Sequence, residues 1–340
     1  MKKIAAVILF LSALSLRAQD SPHRLVEAGV DFGAPFSGFG SYLGTAGILK
    51  EDATLDWSDM VFNLDNRLRA FFDVHESAYL NFNLGVNFKL GFFAGVDSFG
   101  QFQMPSSAGL DRGAASFMEA GLWFSTRIKR WTFTVRPSYF LPLVYVKDTE
   151  IYTPLPLAHP GDTNLMDVFK KGGLDLALRG TYPLFRNFLI GGAITHIPLF
   201  SAVLTDAYSI TGDAAEGVSV AGNKAIYRPF KLGIDAVYRP FYKRIFAIKP
   251  ELALAFNTIY DTPVSVYADF ALTGELNLKD ILIVDAGTHF EDLMWKQRVD
   301  LLLNFRVLEF TIGIGTKSPQ FIETFQGAGF GVDFGIRVGY

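Results

Sequence analysis

The chain has 340 residues, 31 of them basic and 34 acidic, and its formal charge of −3 is too close to neutral to draw it to nucleic acid or to a polybasic membrane contact. It contains no cysteine, which removes disulfides, thiolate metal sites and thiol nucleophiles. Half of its residues are hydrophobic, yet after the N-terminus no apolar run reaches the length of a membrane-spanning helix, so the hydrophobicity is spread by alternation.

At the start, Lys2 and Lys3 precede an apolar run from Ile4 to Leu16, with a small residue at Ala18. The pattern predicts a secretory signal over residues 1–18, too short for a permanent span, and a mature domain over 19–340. No cysteine follows to accept a lipid, and no proline- or serine-rich linker divides the rest, which reads as one domain.

Period-two alternation then predicts about fourteen strands. The first is Leu25 to Ala34 and the second Met60 to Val74, followed by a turn at Asp73-Val-His-Glu-Ser77. The third, Leu80 to Phe92, is the clearest: large apolar residues at every even position alternate with Asn, Gly and Lys. The fourth and fifth, Phe117 to Lys129 and Trp131 to Tyr145, form a hairpin about Arg130. Later hairpins join Leu174–Tyr182 to Phe188–Ile197, Ile226–Tyr238 to Ile245–Asn257, Val264–Leu278 to Ile281–Glu291, and Arg298–Phe305 to Phe310–Gly315. Twelve or sixteen strands are also compatible with this pattern. The last strand, Phe330 to Tyr340, places Phe330, Val332, Phe334, Ile336, Val338 and Tyr340 on one face, and Asp333 and Arg337 with glycines on the other.

One face of each strand suits hydrocarbon and the other suits water, so the predicted fold is an all-β, antiparallel, up-and-down transmembrane barrel. The first and last strands share Gly-Val-Asp-Phe-Gly and are expected to pair and close it. Tight turns after the even strands and long connections after strands one, three, five and seven predict short periplasmic turns, long outer loops and both termini in the periplasm. A terminal strand closing on an aromatic resembles the sorting signal of bacterial outer-membrane barrels. That resemblance implies outer-membrane lipid and the barrel-assembly machinery as partners, the latter through Phe330 to Tyr340.

By register the lumen carries Asp65, Arg67, Arg69, Lys89, Arg127, Arg136, Asp235, Asp333 and Arg337 among other charges of both signs. Balanced signs predict weak ionic selectivity or a lumen partly filled by paired side chains. The five histidines share no metal-ligand spacing, and none belongs to a hydrolase motif. Ser265 and His289 could be imagined as a catalytic pair on the barrel wall, but a lone inward histidine ordinarily serves as a lumen hydrogen-bonding group, so no enzyme, cofactor or metal is expected.

The long loops are unusually apolar. Leu43, Ile48, Trp57, Leu165, Met166, Phe169 and Phe200 are expected near the mouth as a ligand-entry surface, with Asp162 or Thr163 capping a short helix through Phe169. Pro137 and Pro142 each remove a ladder donor from strand five and are expected to kink the wall. Fourteen strands, apolar helical loops and a kinked wall resemble the outer-membrane long-chain fatty-acid and hydrophobic-compound transporter family. The resemblance implies passage of hydrophobic or small amphipathic solutes. Here only Gln19 to Arg24 precede strand one, in place of that family's N-terminal hatch, so a plug is expected from Gly40 to Ser58. A general diffusion porin and a non-transporting surface protein are the alternatives.

Overall fold

The computed structural model describes residues 25–33, 38–39, 69–85, 87–103, 111–147, 150–154, 164–204, 206–209, 224–240, 245–256, 266–318, 321–325 and 329–340. Fourteen antiparallel strands form one closed barrel. They are β1 (Val26–Gly33), β2 (Arg69–Asn83), β3 (Phe88–Gln103), β4 (Asp111–Ile128), β5 (Trp131–Lys147), β6 (Gly173–Phe185) and β7 (Phe188–Phe200), then β8 (Phe230–Tyr238), β9 (Phe246–Phe256), β10 (Val266–Leu278), β11 (Leu282–Glu291), β12 (Met294–Asn304), β13 (Leu308–Ser318) and β14 (Phe330–Gly339). Short strands decorate the loops, and two helices complete the described structure, α1 (Leu165–Phe169) and α2 (Phe321–Phe325).

Each strand pairs with its sequence neighbours, and β1 pairs with both β2 and β14, from Glu27 opposite Gly339 to Gly33 opposite Asp333. Closure leaves no sheet edge. An open edge would present unpaired backbone groups to hydrocarbon at several kcal/mol each, which is why the two Gly-Val-Asp-Phe-Gly segments come together here.

Strands two and three differ from the sequence expectation. Asp73 to Ser77 lies inside β2, and the turn falls at residues 84–87, in the middle of the segment read as one strand. Asn83 pairs with Lys89, and the amide of Leu84 donates to the carbonyl of Phe88. Opposed residues in this hairpin are an even number apart, so even positions face outward on both sides of the turn and the alternation runs through it unbroken. Gly85, at φ +106°, supplies the reversal in a backbone geometry that glycine adopts without strain and residues with a Cβ do not. The same shift shortens the connection after β3 to residues 104–110. The β3–β4–β5 wall is correspondingly tall, with strands of 16, 18 and 17 residues against 10 and 11 in β11 and β12.

Outward positions are large and apolar, as in Val30, Phe92, Ile234, Leu272, Phe334 and Val338, all at least one-third exposed on the isolated barrel. Aromatic side chains cluster at both ends of the wall. Near the termini Trp131 stacks on Phe133 and meets Tyr182, while at the loop end Phe270, Phe290, Trp295 and Phe321 pack in series. Two such girdles flanking an apolar band are the signature of a bilayer-spanning barrel.

The wall of β5 responds differently at its two prolines. At Pro137 the register with β6 is continuous, and the pairing with β4 keeps the same offset on either side. Beyond Pro142 the register with β4 slips by one residue, between Ser116 and Phe117. The register thus shifts beyond Pro142, while beside Pro137 the β4–β5 ladder lacks the Leu122–Pro137 and Trp123–Arg136 pairs and resumes at the same offset. A cysteine pair at Val30→Cys and Ile336→Cys, opposite each other across the closing seam in a chain with no other cysteine, is expected to oxidise to an intramolecular disulfide in the folded barrel. Crosslinking between chains only, scored by gel mobility without reductant, would contradict this closure.

Candidate functional site

The lumen is filled in three tiers. Nearest the termini, aromatic rings lie flat against the inner wall over glycines. Trp123 covers Gly91, Tyr79 covers Gly29 and Phe93 covers Gly121, each at distances where a Cβ would collide. Polar bonds pin the rings: Trp123 Nε1 donates to Asn81 Oδ1 (2.9 Å) and Tyr79 Oη to Glu27 Oε1 (3.1 Å). Inward glycines in these strands are thus seats for aromatic side chains.

The middle tier is a chamber of about 430 Å³ bordered by Asp31, Asp73, His75, Asp97, Glu119, Arg136, Arg228, Lys296, Arg298, Asp333 and Arg337. Its charges are paired across strands. Arg298 Nη2 lies 3.0 Å from Asp333 Oδ2, Lys317 Nζ 2.9 Å from Asp73 Oδ2, and Arg337 Nη1 3.4 Å from Glu309 Oε2. Around the wall Arg179 meets Asp235 (2.7 Å), Lys231 meets Asp269 (2.6 Å) and Lys249 meets Glu275 (2.6 Å). Mixed signs neutralise one another locally, and no ring of one sign forms among the described residues.

The outer tier is apolar and comes from the β7–β8 connection. Ala202–Leu204 pairs with Lys224–Ile226 as a two-stranded ribbon, and Ala202, Leu204 and Ile226 are buried. They share one cluster with Phe117 and Phe140 from one side of the barrel and Ala255 and Tyr267 from the other. Leu293, held at φ +64° in the two-residue β11–β12 turn, packs against the same cluster. The ribbon therefore bridges the lumen from wall to wall.

Arg228 ties ribbon to chamber. It leaves the chain just before β8 and reaches Asp175 through Nε (2.7 Å) and Nη2 (2.8 Å), Ser138 Oγ through Nη2 (2.8 Å), and Glu119 through Nη1. Arg136 holds the other oxygen of Glu119 (2.6 Å) and lies 3.9 Å from the Phe93 ring centroid. His196, at φ +55°, places Nδ1 2.8 Å from the carbonyl oxygen of Pro229 and fixes the entry of the same segment. Two carboxylates and two guanidiniums, nearly dehydrated, thus lock a loop onto β4, β5 and β6.

Of the residues singled out from sequence, Arg136, Asp235, Asp333 and Arg337 stand in these pairs. Lys89 and Arg127 lie at inward positions near the terminal end, opposite Asn83 and Thr132. Arg69 opens β2, but its side chain lies outside the described residues, as do Asp65, Arg67, Leu43, Ile48, Trp57, Ser265, residues 1–18 and the segment Gly40 to Ser58. The described plug comes from the β7–β8 connection, whereas sequence pointed to the first loop. Met166, Phe169 and Phe200 are exposed, but Phe200 pairs with Leu174 in the β6–β7 ladder, and the Phe169 carbonyl accepts a bond from Tyr139 Oη (2.6 Å) on the outer side of β5. None of the three belongs to the buried cluster around the ribbon, although the Val203 amide of the ribbon donates to the Lys171 carbonyl just after α1 (2.9 Å), and the side chain of Leu165 lies outside the described residues. Asn164 caps α1 by accepting from the Met166 amide (3.0 Å), and Asp162 and Thr163, the caps expected from sequence, lie outside the described residues. Sequence reasoning missed Arg228, because its even number assigns it to the lipid face if β8 is extended back to Ile226. It also missed Asp73, assigned to a turn, and Lys296 and Lys317, which lie beyond the expected strand ends.

No protein-family model matches the chain, and no curated protein is similar to it in sequence. Solved structures do share its fold. The Pseudomonas putida toluene transporter TodX superposes with a TM-score of 0.51 at 10% identity, over 96% of this chain and 94% of that one. A Pseudomonas aeruginosa FadL homologue gives 0.52 at 10% identity, over 93% and 90%. The monoaromatic hydrocarbon channel CymD gives 0.51 at 9%, over 93% and 89%. The fold is that of an outer-membrane β-barrel, and it has the architecture of the FadL-type hydrophobic-compound channels.

Replacing Arg228 by Met strands Glu119 and Asp175 without their shared cation. The expected cost is about 3–5 kcal/mol, the range for breaking one partner out of a buried pair. Urea unfolding in detergent followed by tryptophan fluorescence measures it, and a second change, Asp175→Asn, should restore part of the loss.

Proposed function

We propose that this barrel passes hydrophobic or small amphipathic solutes across a bacterial outer membrane, with the β7–β8 ribbon as its internal plug. The observation that carries the reading is the apolar cluster of Ala202, Leu204, Ile226, Phe117, Phe140 and Tyr267 lying across the lumen beyond the ion-paired chamber. Such a seam interrupts a water column but offers an apolar molecule a surface equivalent to the one it leaves, since transfer of apolar area from water is favourable at roughly 25 cal/mol per Å². A solute that displaces the ribbon exchanges one apolar contact for another, and the ion pairs of Arg228 set the resistance to that displacement.

The likeness to barrels described as a toluene transporter and as a monoaromatic hydrocarbon channel supports small apolar molecules as the solute class. Short turns at the end bearing both termini and longer connections at the other support an orientation with the termini in the periplasm. An outer-membrane location, a secretory signal over residues 1–18 and assembly through Phe330 to Tyr340 belong to the same reading. A general diffusion porin fits less well, because its lumen must hold a continuous aqueous path.

Two measurements test the proposal. Cells expressing the barrel should take up an apolar fluorescent dye several-fold faster than cells without it. In planar bilayers the intact barrel should show little steady conductance, and deletion of residues 202–226 should open it. A large ohmic conductance in the intact barrel, together with unchanged dye uptake, would establish the porin instead.

A further inference from the structure

We propose that the lumen holds a site for amphipathic amines, with Asp97 taking the ammonium group while the apolar part of the solute lies against the cluster around the plug. Asp97 faces inward on β3, opposite His75 in the β2–β3 ladder and opposite Phe117 in the β3–β4 ladder, and it borders the charged chamber. Phe117 belongs to the buried apolar cluster. Phe99, the next inward residue of β3, packs against that cluster with its ring 6.4 Å from the Phe117 ring. Asp97 therefore stands where the chamber ends and the apolar tier begins.

Its neighbours on the chamber wall are committed to permanent cations. Glu119 is held by Arg136 and Arg228, Asp73 by Lys317 with Lys296 at 3.7 Å, and Asp333 by Arg298. Among the described residues no lysine or arginine reaches Asp97, and its ion-pair partner is His75, whose Nδ1 lies 3.9 Å from Oδ1. An imidazole is only partly charged near neutral pH, and at that distance it makes no strong hydrogen bond. The Asp97 side chain keeps 47% of its surface accessible, against 20% for Asp73, 18% for Asp333 and 12% for Glu119, so a solute in the chamber can touch it. Glu291 is also open, but Lys231 Nζ stands 3.9 Å away.

An accessible carboxylate beside aromatic rings selects by charge as well as by shape. An ammonium gains a charge-assisted hydrogen bond there, whereas an anion of the same outline meets repulsion from Asp97. A neutral alcohol gains only an ordinary hydrogen bond. The apolar end of the solute meets Phe99 and Phe117, in contact with the cluster that includes the ribbon. The role as a selector among solutes rests on the passage reading, and the affinity does not.

Equilibrium dialysis of the purified barrel in detergent against phenethylamine, phenethyl alcohol and phenylpropionate tests the site, because the three differ in charge and little in shape. The amine should bind about tenfold or more tighter than either of the others. Asp97→Asn should bring the amine down to the level of the alcohol and leave the alcohol unchanged. Asp280→Asn, the same change in the β10–β11 turn at the terminal end, should alter nothing, which separates the site from general attraction to the charge of the protein. Heat-modifiable migration on gels confirms that each variant is folded, and Asp97→Ser repeats the test with a smaller side chain if Asp97→Asn does not assemble. Equal affinities for the three, a preference for the carboxylate, or an amine preference that survives loss of the Asp97 charge overturns the site. Binding needs no transport, so absent dye uptake would count against the passage reading alone, whereas equal affinities would count against the amine site alone.

Discussion

Hydrocarbon offers no partner to a backbone amide, and from that constraint the rest of this structure follows. A chain that crosses the bilayer as strands must pair every strand on both sides, so the first and last must meet, and Glu27 to Gly33 does so with Asp333 to Gly339. Closure then sorts side chains by parity. Whatever stands at an outward position meets lipid, and its neighbours are confined to an enclosed lumen where each charge needs a counter-charge or water.

The lumen meets that need by pairing. Arg298 with Asp333, Lys317 with Asp73 and Arg179 with Asp235 each join strands that are not neighbours, so the pairs brace the cylinder as well as neutralise it. The glycines facing inward serve a related purpose, since Trp123, Tyr79 and Phe93 would not fit against the wall over any larger residue. Among the described residues, polar and aromatic filling together leave a chamber lined by charges of both signs.

Arg228 is the point where packing and function meet. Its guanidinium joins carboxylates on β4 and β6 to a segment that enters the lumen from the β7–β8 connection, and the ribbon behind it carries apolar residues into contact with both sides of the barrel. The plug is thus held by directional ionic bonds at its base and by non-directional apolar contact at its tip. In the proposed reading an apolar solute displaces the second, and the first sets the resistance to that displacement.

Strict alternation in segments such as Phe330 to Tyr340 was enough to read a barrel of about fourteen strands and the inward side of most charges, because a period of two is local and survives any choice of partner. It could not locate the β2–β3 turn, since opposed residues there lie an even number apart and the pattern passes through Leu84 to Asn87 unchanged. Arg228 was hidden for the same reason in reverse: residues 227–229 leave the ladder, so parity ceases to say where they point. The ribbon and the ion lock were decided only by tertiary structure, because each depends on groups distant in sequence, such as Glu119 with Arg228, meeting inside a closed wall.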